Sequence, residues 1–111
     1  MNIIDLFSGA GGLTEGFRNR DFNILCHIEK NKDACETLKI REAFYFLKEN
    51  NKLYHYRKYL NGRISKKELL NIVPSEKIKS ILNIEINKDS LEEMFNFIDS
   101  KSDRVDGIIG G

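Results

Sequence analysis

The chain has 111 residues, of which 41% are hydrophobic and 32% charged, and its formal net charge is +1. These values fit one domain, or part of one, with a modest core, and they exclude wholesale disorder. It has no apolar run long enough to span a bilayer and no basic signal-peptide start, so we expect a cytoplasmic protein. Cys26 and Cys35 are too few and too widely spaced for a zinc site or a disulfide framework, so we expect small buried residues and no metal site.

The start of the chain predicts a strand, a glycine-rich turn and a helix. Residues 2–7 are mostly apolar, three glycines fall within residues 9–12, and a helical pattern covers residues 12–20. Such a junction presents backbone N–H groups to a ligand, which is typical of a nucleotide-like cofactor site, although an ordinary strand-to-helix turn is the alternative. Thr14 stands where a dinucleotide fingerprint needs its third glycine, which favours a cofactor without a pyrophosphate.

A second strand is predicted over residues 23–29 and completes a βαβ unit. It ends in Glu29, about twenty residues after the glycines, where an acid can accept hydrogen bonds from two ribose hydroxyls. A solvated carboxylate at a strand end is the alternative. Neither His27 nor His55 has an acidic or cysteine partner at ligand spacing, so we expect isolated surface or packing histidines.

Helical patterns dominate the middle of the chain. A helix beginning near Asn31 or Lys32 continues to residue 49, and a second helical face covers residues 53–60. Ser65 with Glu68 predicts a capping box, and we expect Ser75 to cap a further turn. A third strand is predicted over residues 84–86, a helix capped by a Ser90–Glu93 box follows, and residues 105–109 are a fourth strand.

This middle region is strongly basic. Residues 39–79 contain eleven basic and four acidic residues, a net charge of +7, which leaves −6 for the rest of the chain. Aromatic residues are interleaved with the basic ones: Phe44, Tyr45, Phe46, Tyr54, Tyr56 and Tyr59. The segment could contact a phosphate backbone. Helical spacing favours the alternative, a small bundle with aromatic core faces and a solvated lysine surface.

Three stretches, in the same order, resemble motifs of the DNA (cytosine-5) methyltransferases. The first is Asp5 to Gly12 with Leu13, Gly16 and Phe17, and the second is Ile28 to Asn31 with Ala34, Thr37 and Leu38. The third, Val105 to Gly111, is similar to the strand that leads into the Pro-Cys motif of that family. The segment between Lys39 and Asn87 matches no core motif.

The resemblance implies S-adenosylmethionine as the cofactor and assigns roles to individual residues. Phe7 would pack on the adenine ring, Glu29 would bind the ribose diol, and Lys30 would lie by the adenine face. Asp89 is the candidate acceptor for the adenine amino group. The methionine moiety would be held by the backbone of Ser8, Gly9, Ala10, Gly11, Gly12 and Leu13.

One departure from the family concerns catalysis. The family uses a cysteine after a proline to attack a flipped cytosine, whereas here Pro74 is followed by Ser75. The chain stops where the nucleophile loop should begin, so we expect no catalytic residue and no methylation by this segment alone. The resemblance implies that the parent protein acts on double-stranded DNA in bacterial restriction-modification. A non-catalytic S-adenosylmethionine-binding module, acting alone or complementing another chain, is the alternative.

The expected fold is α/β, a partial doubly wound, Rossmann-like sheet of the methyltransferase type with strand order 3-2-1-4 and a helical insertion. Residues 1–38 would form the first part of the cofactor-binding subdomain, 39–83 a basic helical insertion, and 84–111 the end of that subdomain. The fourth strand would leave an apolar sheet edge exposed, so we also expect pairing with a second copy, a homodimer, through this edge.

Overall fold

In the computed structural model, residues 1–6, 16, 22–102 and 104–110 are described. This part contains one sheet of four parallel strands, in the order β3-β2-β1-β4. The strands are β1 (Asn2–Leu6), β2 (Asn23–Glu29), β3 (Ile81–Asn83) and β4 (Gly107–Gly110). The predicted α/β class and strand order are therefore confirmed. The helix predicted over residues 12–20 lies outside the described residues, apart from position 16.

The described helices are α1 (Lys32–Glu49), α2 (Leu53–Leu60), α3 (Lys66–Ile72), α4 (Ser75–Lys79) and α5 (Lys88–Lys101). Within this part of the chain, no helix combines the length and the apolar character that crossing a membrane requires. The predicted helix starting at residue 31 or 32 is confirmed, because the Asn31 side chain caps α1 by accepting a hydrogen bond from the Ala34 N–H at 2.9 Å.

Helices cover both faces of the sheet. Successive side chains of a strand point to opposite faces, so alternate positions separate two layers of core. On one face, apolar side chains of β1 and β2 pack against α5; the buried members are Ile4, Cys26, Ile28, Met94 and Ile98. On the other face, Ile81 of β3 packs against Cys35 and Leu38 of α1. Both cysteines are buried and free, as predicted.

A second core lies between α1 and the helices that follow it. Its buried members are Ala43 and Leu47 of α1 with Leu69 and Val73, and Tyr56 and Tyr59 of α2 pack against them. The predicted aromatic core face is thus confirmed for these two tyrosines. The chain reverses between α1 and α2 at Asn51, which has φ +57°, and again after α2 at Gly62, which has φ +72°. Both values lie in the left-handed region that Gly and Asn tolerate best.

The predicted capping box of α3 is confirmed. The Ser65 hydroxyl accepts a hydrogen bond from the Glu68 N–H at 3.1 Å, and the Glu68 carboxylate accepts one from the Ser65 N–H at 3.2 Å. The other two capping predictions are wrong. Pro74, not Ser75, is the N-cap of α4, and no side chain caps that helix. The chain therefore enters α4 with a proline at the cap position.

The Ser90–Glu93 box is also wrong, because α5 begins earlier than its apolar pattern suggests. Asn87 is the N-cap, and its side chain accepts hydrogen bonds from the N–H groups of Asp89 and Ser90. The Ser90 hydroxyl accepts the Asn87 N–H at 3.0 Å and so occupies the position predicted for a glutamate. Two short polar side chains thus make a complete capping box one turn upstream.

The third strand is displaced from its predicted position. β3 covers Ile81–Asn83, not residues 84–86, and pairs in parallel with the last residues of β2. The Ser80 carbonyl at the end of α4 accepts a hydrogen bond from the His27 N–H at 2.9 Å, so pairing begins as soon as α4 ends. Ile84 and Ile86 instead pack against the α5 core from the connection that follows β3.

Candidate functional site

The carboxyl ends of the strands meet at one edge of the sheet. Leu6 of β1 pairs with Ile28 of β2 on one side and with Gly110 of β4 on the other. The chain leaves β1 towards β2 and β3 and later returns to the opposite side of β1 as β4. Open α/β sheets bind ligands at the carboxyl edge, next to the strand where the order reverses. The candidate site is therefore at the ends of β1 and β2.

Glu29 lies at this edge as the last residue of β2. Its side chain is 9% exposed, and Oε2 accepts a hydrogen bond from the Asn31 N–H at 2.7 Å. The Asn83 amide donates to the carbonyls of Glu29 and Lys30, at 3.1 and 2.9 Å, and the Cys35 thiol donates to the Glu29 carbonyl at 3.3 Å. The strand end and its carboxylate are thus held in place from α1 and β3.

A shallow cavity of about 100 Å³ opens beside this strand end. The described side chains that line it are three isoleucines and two charged residues: Ile28, Ile84, Ile86, Lys30 and Glu85. Isoleucine walls suit a flat apolar group, and charged residues at the rim suit its polar substituents. The lining thus has the character of a subsite for one ring of a small ligand, and two of its residues, Ile28 and Lys30, flank Glu29 in the sequence.

The predicted site residues divide into three groups. Glu29 and Lys30 come together at the carboxyl edge, as described above. Asp89 lies exposed in the first turn of α5 and is not part of the cavity lining, where Glu85 is the nearby acid. The remaining predictions, Phe7, Ser8, Gly9, Ala10, Gly11, Gly12 and Leu13, fall outside the described residues. The sequence alone does not single out Glu85, because its neighbours Ile84 and Ile86 favour a strand over residues 84–86.

Below the edge, His27 joins two carboxylates in the core, so the prediction that it is isolated is wrong. Its Nδ1 lies 2.9 Å from Oδ2 of Asp5 on β1, and its Nε2 lies 3.5 Å from Oε1 of Glu42 on α1. Asp5 is 0% and His27 2% exposed. The imidazole links β1 to α1, and we call Asp5, His27 and Glu42 the buried triad.

The two carboxylates govern the protonation of His27. Burial of the imidazole by itself lowers the pKa, but the hydrogen bonds and charges of Asp5 and Glu42 outweigh burial and raise the pKa of His27 above its ordinary value of 6.5. A protonated imidazole donates from both ring nitrogens, which matches one acceptor on each side. Among the described residues, no three His, Cys, Asp or Glu side chains are arranged to hold a metal ion.

This raised pKa predicts a pH-dependent stability. A group with a raised folded-state pKa stabilises the protein fully below its unfolded pKa, and this contribution is lost as pH rises through the folded value. We expect the free energy of unfolding of the wild type to exceed that of His27→Gln by most at about pH 6, and by less as pH increases. Denaturant unfolding between pH 6 and 9 measures this difference. A constant difference across that range would exclude the triad as its source.

Neither cysteine has the character of a nucleophile. Burial, reinforced by the charge of Asp5, raises the pKa of the Cys26 thiol to about 11, and burial also raises the pKa of Cys35. A reactive thiol needs an accessible site and a lowered pKa. These two residues, which are all the cysteines of the sequence, therefore serve as core packing and as the hydrogen-bond donor to the Glu29 carbonyl.

The parallel sheet with order β3-β2-β1-β4, covered by helices on both faces, is consistent with the Rossmann-like architecture of the methyltransferases. Residues 1–55 match the family described as C-5 cytosine-specific DNA methylase. The chain belongs to this family through its N-terminal half. The predicted family resemblance is thus confirmed.

Individual relatives agree with the family match. The chain is 57% identical over 60 residues to the type II methyltransferase M.Bpa9945I of Bacillus paralicheniformis. The aligned region covers 54% of this chain and 14% of the relative. A putative type II methyltransferase of Methanocaldococcus jannaschii, M.MjaORF1200P, is 32% identical over 137 aligned positions, covering 100% of this chain and 34% of the relative. The chain thus spans about a third or less of these relatives. No solved structure matches it.

Proposed function

We propose that this chain binds S-adenosylmethionine at the carboxyl edge of its sheet and forms the cofactor-binding portion of a DNA cytosine-C5 methyltransferase of the restriction-modification type. The observation that carries the proposal is the position of Glu29. Its carboxylate is fixed by the Asn31 N–H at the end of β2, and its sequence neighbours Ile28 and Lys30 line an apolar cavity at this strand end. In a dinucleotide-type sheet an acid at this place accepts hydrogen bonds from ribose hydroxyls.

The described residues fit the adenosine half of this cofactor. Ile28, Ile84 and Ile86 would enclose the adenine ring, and the Lys30 stem would cover its rim. Glu29 would accept from the two ribose hydroxyls and so fix the sugar against the sheet. The bound cofactor supplies an activated methyl group. The roles of Phe7, of the backbone from Ser8 to Leu13, and of Asp89 remain proposals that rest on the family motif.

The DNA substrate is part of the same proposal, because the named relatives are type II methyltransferases. Since Cys26 and Cys35 are buried with raised thiol pKa values, a nucleophilic cysteine would have to come from outside these 111 residues. It could follow in the same polypeptide or be supplied by a second chain, as in the alternative of a complementing module. Self-association through the edge of β4 stays a prediction.

Calorimetric titration of the purified protein tests the cofactor proposal. We expect saturable binding of one S-adenosylmethionine per chain, and comparable binding of S-adenosylhomocysteine, which shares the adenosine and amino-acid parts. Adenosine triphosphate should bind more weakly, because a carboxylate at the sheet edge repels phosphate. Equal binding of S-adenosylmethionine and adenosine triphosphate, or a preference for the triphosphate, would contradict the proposal.

A further inference from the structure

An acid-free basic segment follows α1. Residues 50–67 contain six basic side chains and no Asp or Glu, and we call this range the basic segment. All six are exposed: Lys52, Arg57, Lys58, Arg63, Lys66 and Lys67. Because the whole chain has a net charge of only +1, this concentration of charge is local. The concentration of basic side chains in this segment therefore needs a local explanation.

The basic segment has two distinct faces. Leu53, Tyr56 and Tyr59 turn inward and pack on the second core. Arg57 and Lys58 lie on the opposite side of α2, where the Lys58 ammonium is 5.8 Å from the centre of the exposed Tyr54 ring. Packing accounts for Leu53, Tyr56 and Tyr59, but it does not account for the charged residues of the segment.

Intramolecular ion pairs do not account for the charges either. Lys66 Nζ lies 3.1 Å from Oε2 of Glu36. Within the described part of the chain, this is the only ion pair found that involves one of the six basic side chains. The nearby acid Glu68 is engaged in the capping box of α3. Arg57 and Lys58 stand in the last turn of α2, where the helix dipole favours cations, but Lys52, Arg63 and Lys67 have no such place.

The segment runs towards the candidate site. α1 begins beside the end of β2, and α2 returns antiparallel along it: the Lys52 N–H donates to the Leu47 carbonyl at 2.8 Å, and the Phe44 and Tyr56 rings lie 5.1 Å apart. The segment ends where Lys66 meets Glu36 near the start of α1. The eight residues of α2 extend about 12 Å, roughly the rise of three to four DNA base pairs.

We propose that the basic segment contacts the phosphate backbone of duplex DNA that flanks the target base. This inference rests on the proposed function, which brings DNA to the carboxyl edge of the sheet. Arg57, Lys58 and Arg63 would each neutralise a phosphate, and exposed lysine and arginine side chains without acidic neighbours are suited to this sequence-independent contact. The surface would add affinity without adding a base preference.

The test compares two triple variants with equal loss of charge. Arg57→Gln, Lys58→Gln and Arg63→Gln remove charge from the basic segment, and the control replaces three exposed lysines elsewhere: Lys79→Gln, Lys88→Gln and Lys101→Gln. Affinity for a duplex of about 20 base pairs is measured by fluorescence anisotropy between 50 and 200 mM salt, about the range over which phosphate contacts show their salt dependence. Binding of S-adenosylmethionine by calorimetry is measured on the same samples.

We expect the basic-segment variant to flatten the plot of log affinity against log salt by about 2 to 3, because each lost phosphate contact removes about 0.9 from the slope. The control should keep the wild-type slope. An unchanged slope, or equal flattening in both variants, overturns the proposed surface. Failure of the proposed function looks different: the wild type would not bind S-adenosylmethionine, whatever the two slopes are.

Discussion

Replacing His27 by alanine is expected to lower the free energy of unfolding by about 3–5 kcal/mol, the cost of removing one member of a buried ion pair. The Asp5 carboxylate is fully buried, and its Oδ2 lies 2.9 Å from the imidazole. Without the imidazole, the carboxylates of Asp5 and Glu42 face each other across the space between β1 and α1. Denaturant unfolding monitored by circular dichroism measures the loss.

His55→Ala is the matched control, since this histidine is partly exposed on α2 and contacts the Tyr54 ring at 4.2 Å. It should cost less than about 1 kcal/mol, as surface substitutions do. Combining His27→Ala with Asp5→Asn should recover part of the stability, because the second change removes one of the buried charges. A cost for His27→Ala similar to that of the control would show that the buried triad contributes little.

The order of the strands was predictable from the pattern of a doubly wound sheet, and the bounds of α1 and α2 and the cap of α3 were predictable from local signals. Apolar runs, capping residues such as Asn31 and Ser65, and the known preference of a doubly wound sheet predict the architecture without long-range information. The buried triad joins residues 22 and 15 positions apart, so spacing alone could not reveal it. The alternation of side chains along a strand offered one signal. Two polar residues at paired positions of adjacent strands have their side chains on the same face of the sheet.

The third strand shows where a local pattern is insufficient. Residues 81–86 read Ile-Leu-Asn-Ile-Glu-Ile, and both halves are apolar enough to form a strand. Long-range hydrogen bonds determine that residues 81–83 form the strand. The Ser80 carbonyl accepts from the His27 N–H, and the Asn83 amide donates to the carbonyls of Glu29 and Lys30. As a result, Glu85 and its isoleucine neighbours line the cavity instead of pairing with β2.

Replacing Glu29 by alanine is expected to weaken S-adenosylmethionine binding by about 10- to 150-fold, which corresponds to the roughly 1.5–3 kcal/mol of a hydrogen bond to a charged group. The proposed role of Glu29 is to accept from the ribose hydroxyls. The same carboxylate accepts from the Asn31 N–H at 2.7 Å, so alanine also removes a contact that holds the start of α1. Calorimetric titration gives the change in affinity.

Two further variants separate these effects. Glu29→Gln keeps an oxygen that can accept from Asn31 but loses the negative charge, so it should preserve stability while still lowering affinity. Glu76→Ala removes an exposed acid from the first turn of α4 that is not among the cavity-lining residues, and should leave affinity unchanged. If both Glu29 variants bind S-adenosylmethionine as tightly as the wild type, Glu29 serves only to fix the end of β2, and the ribose must be held by other residues.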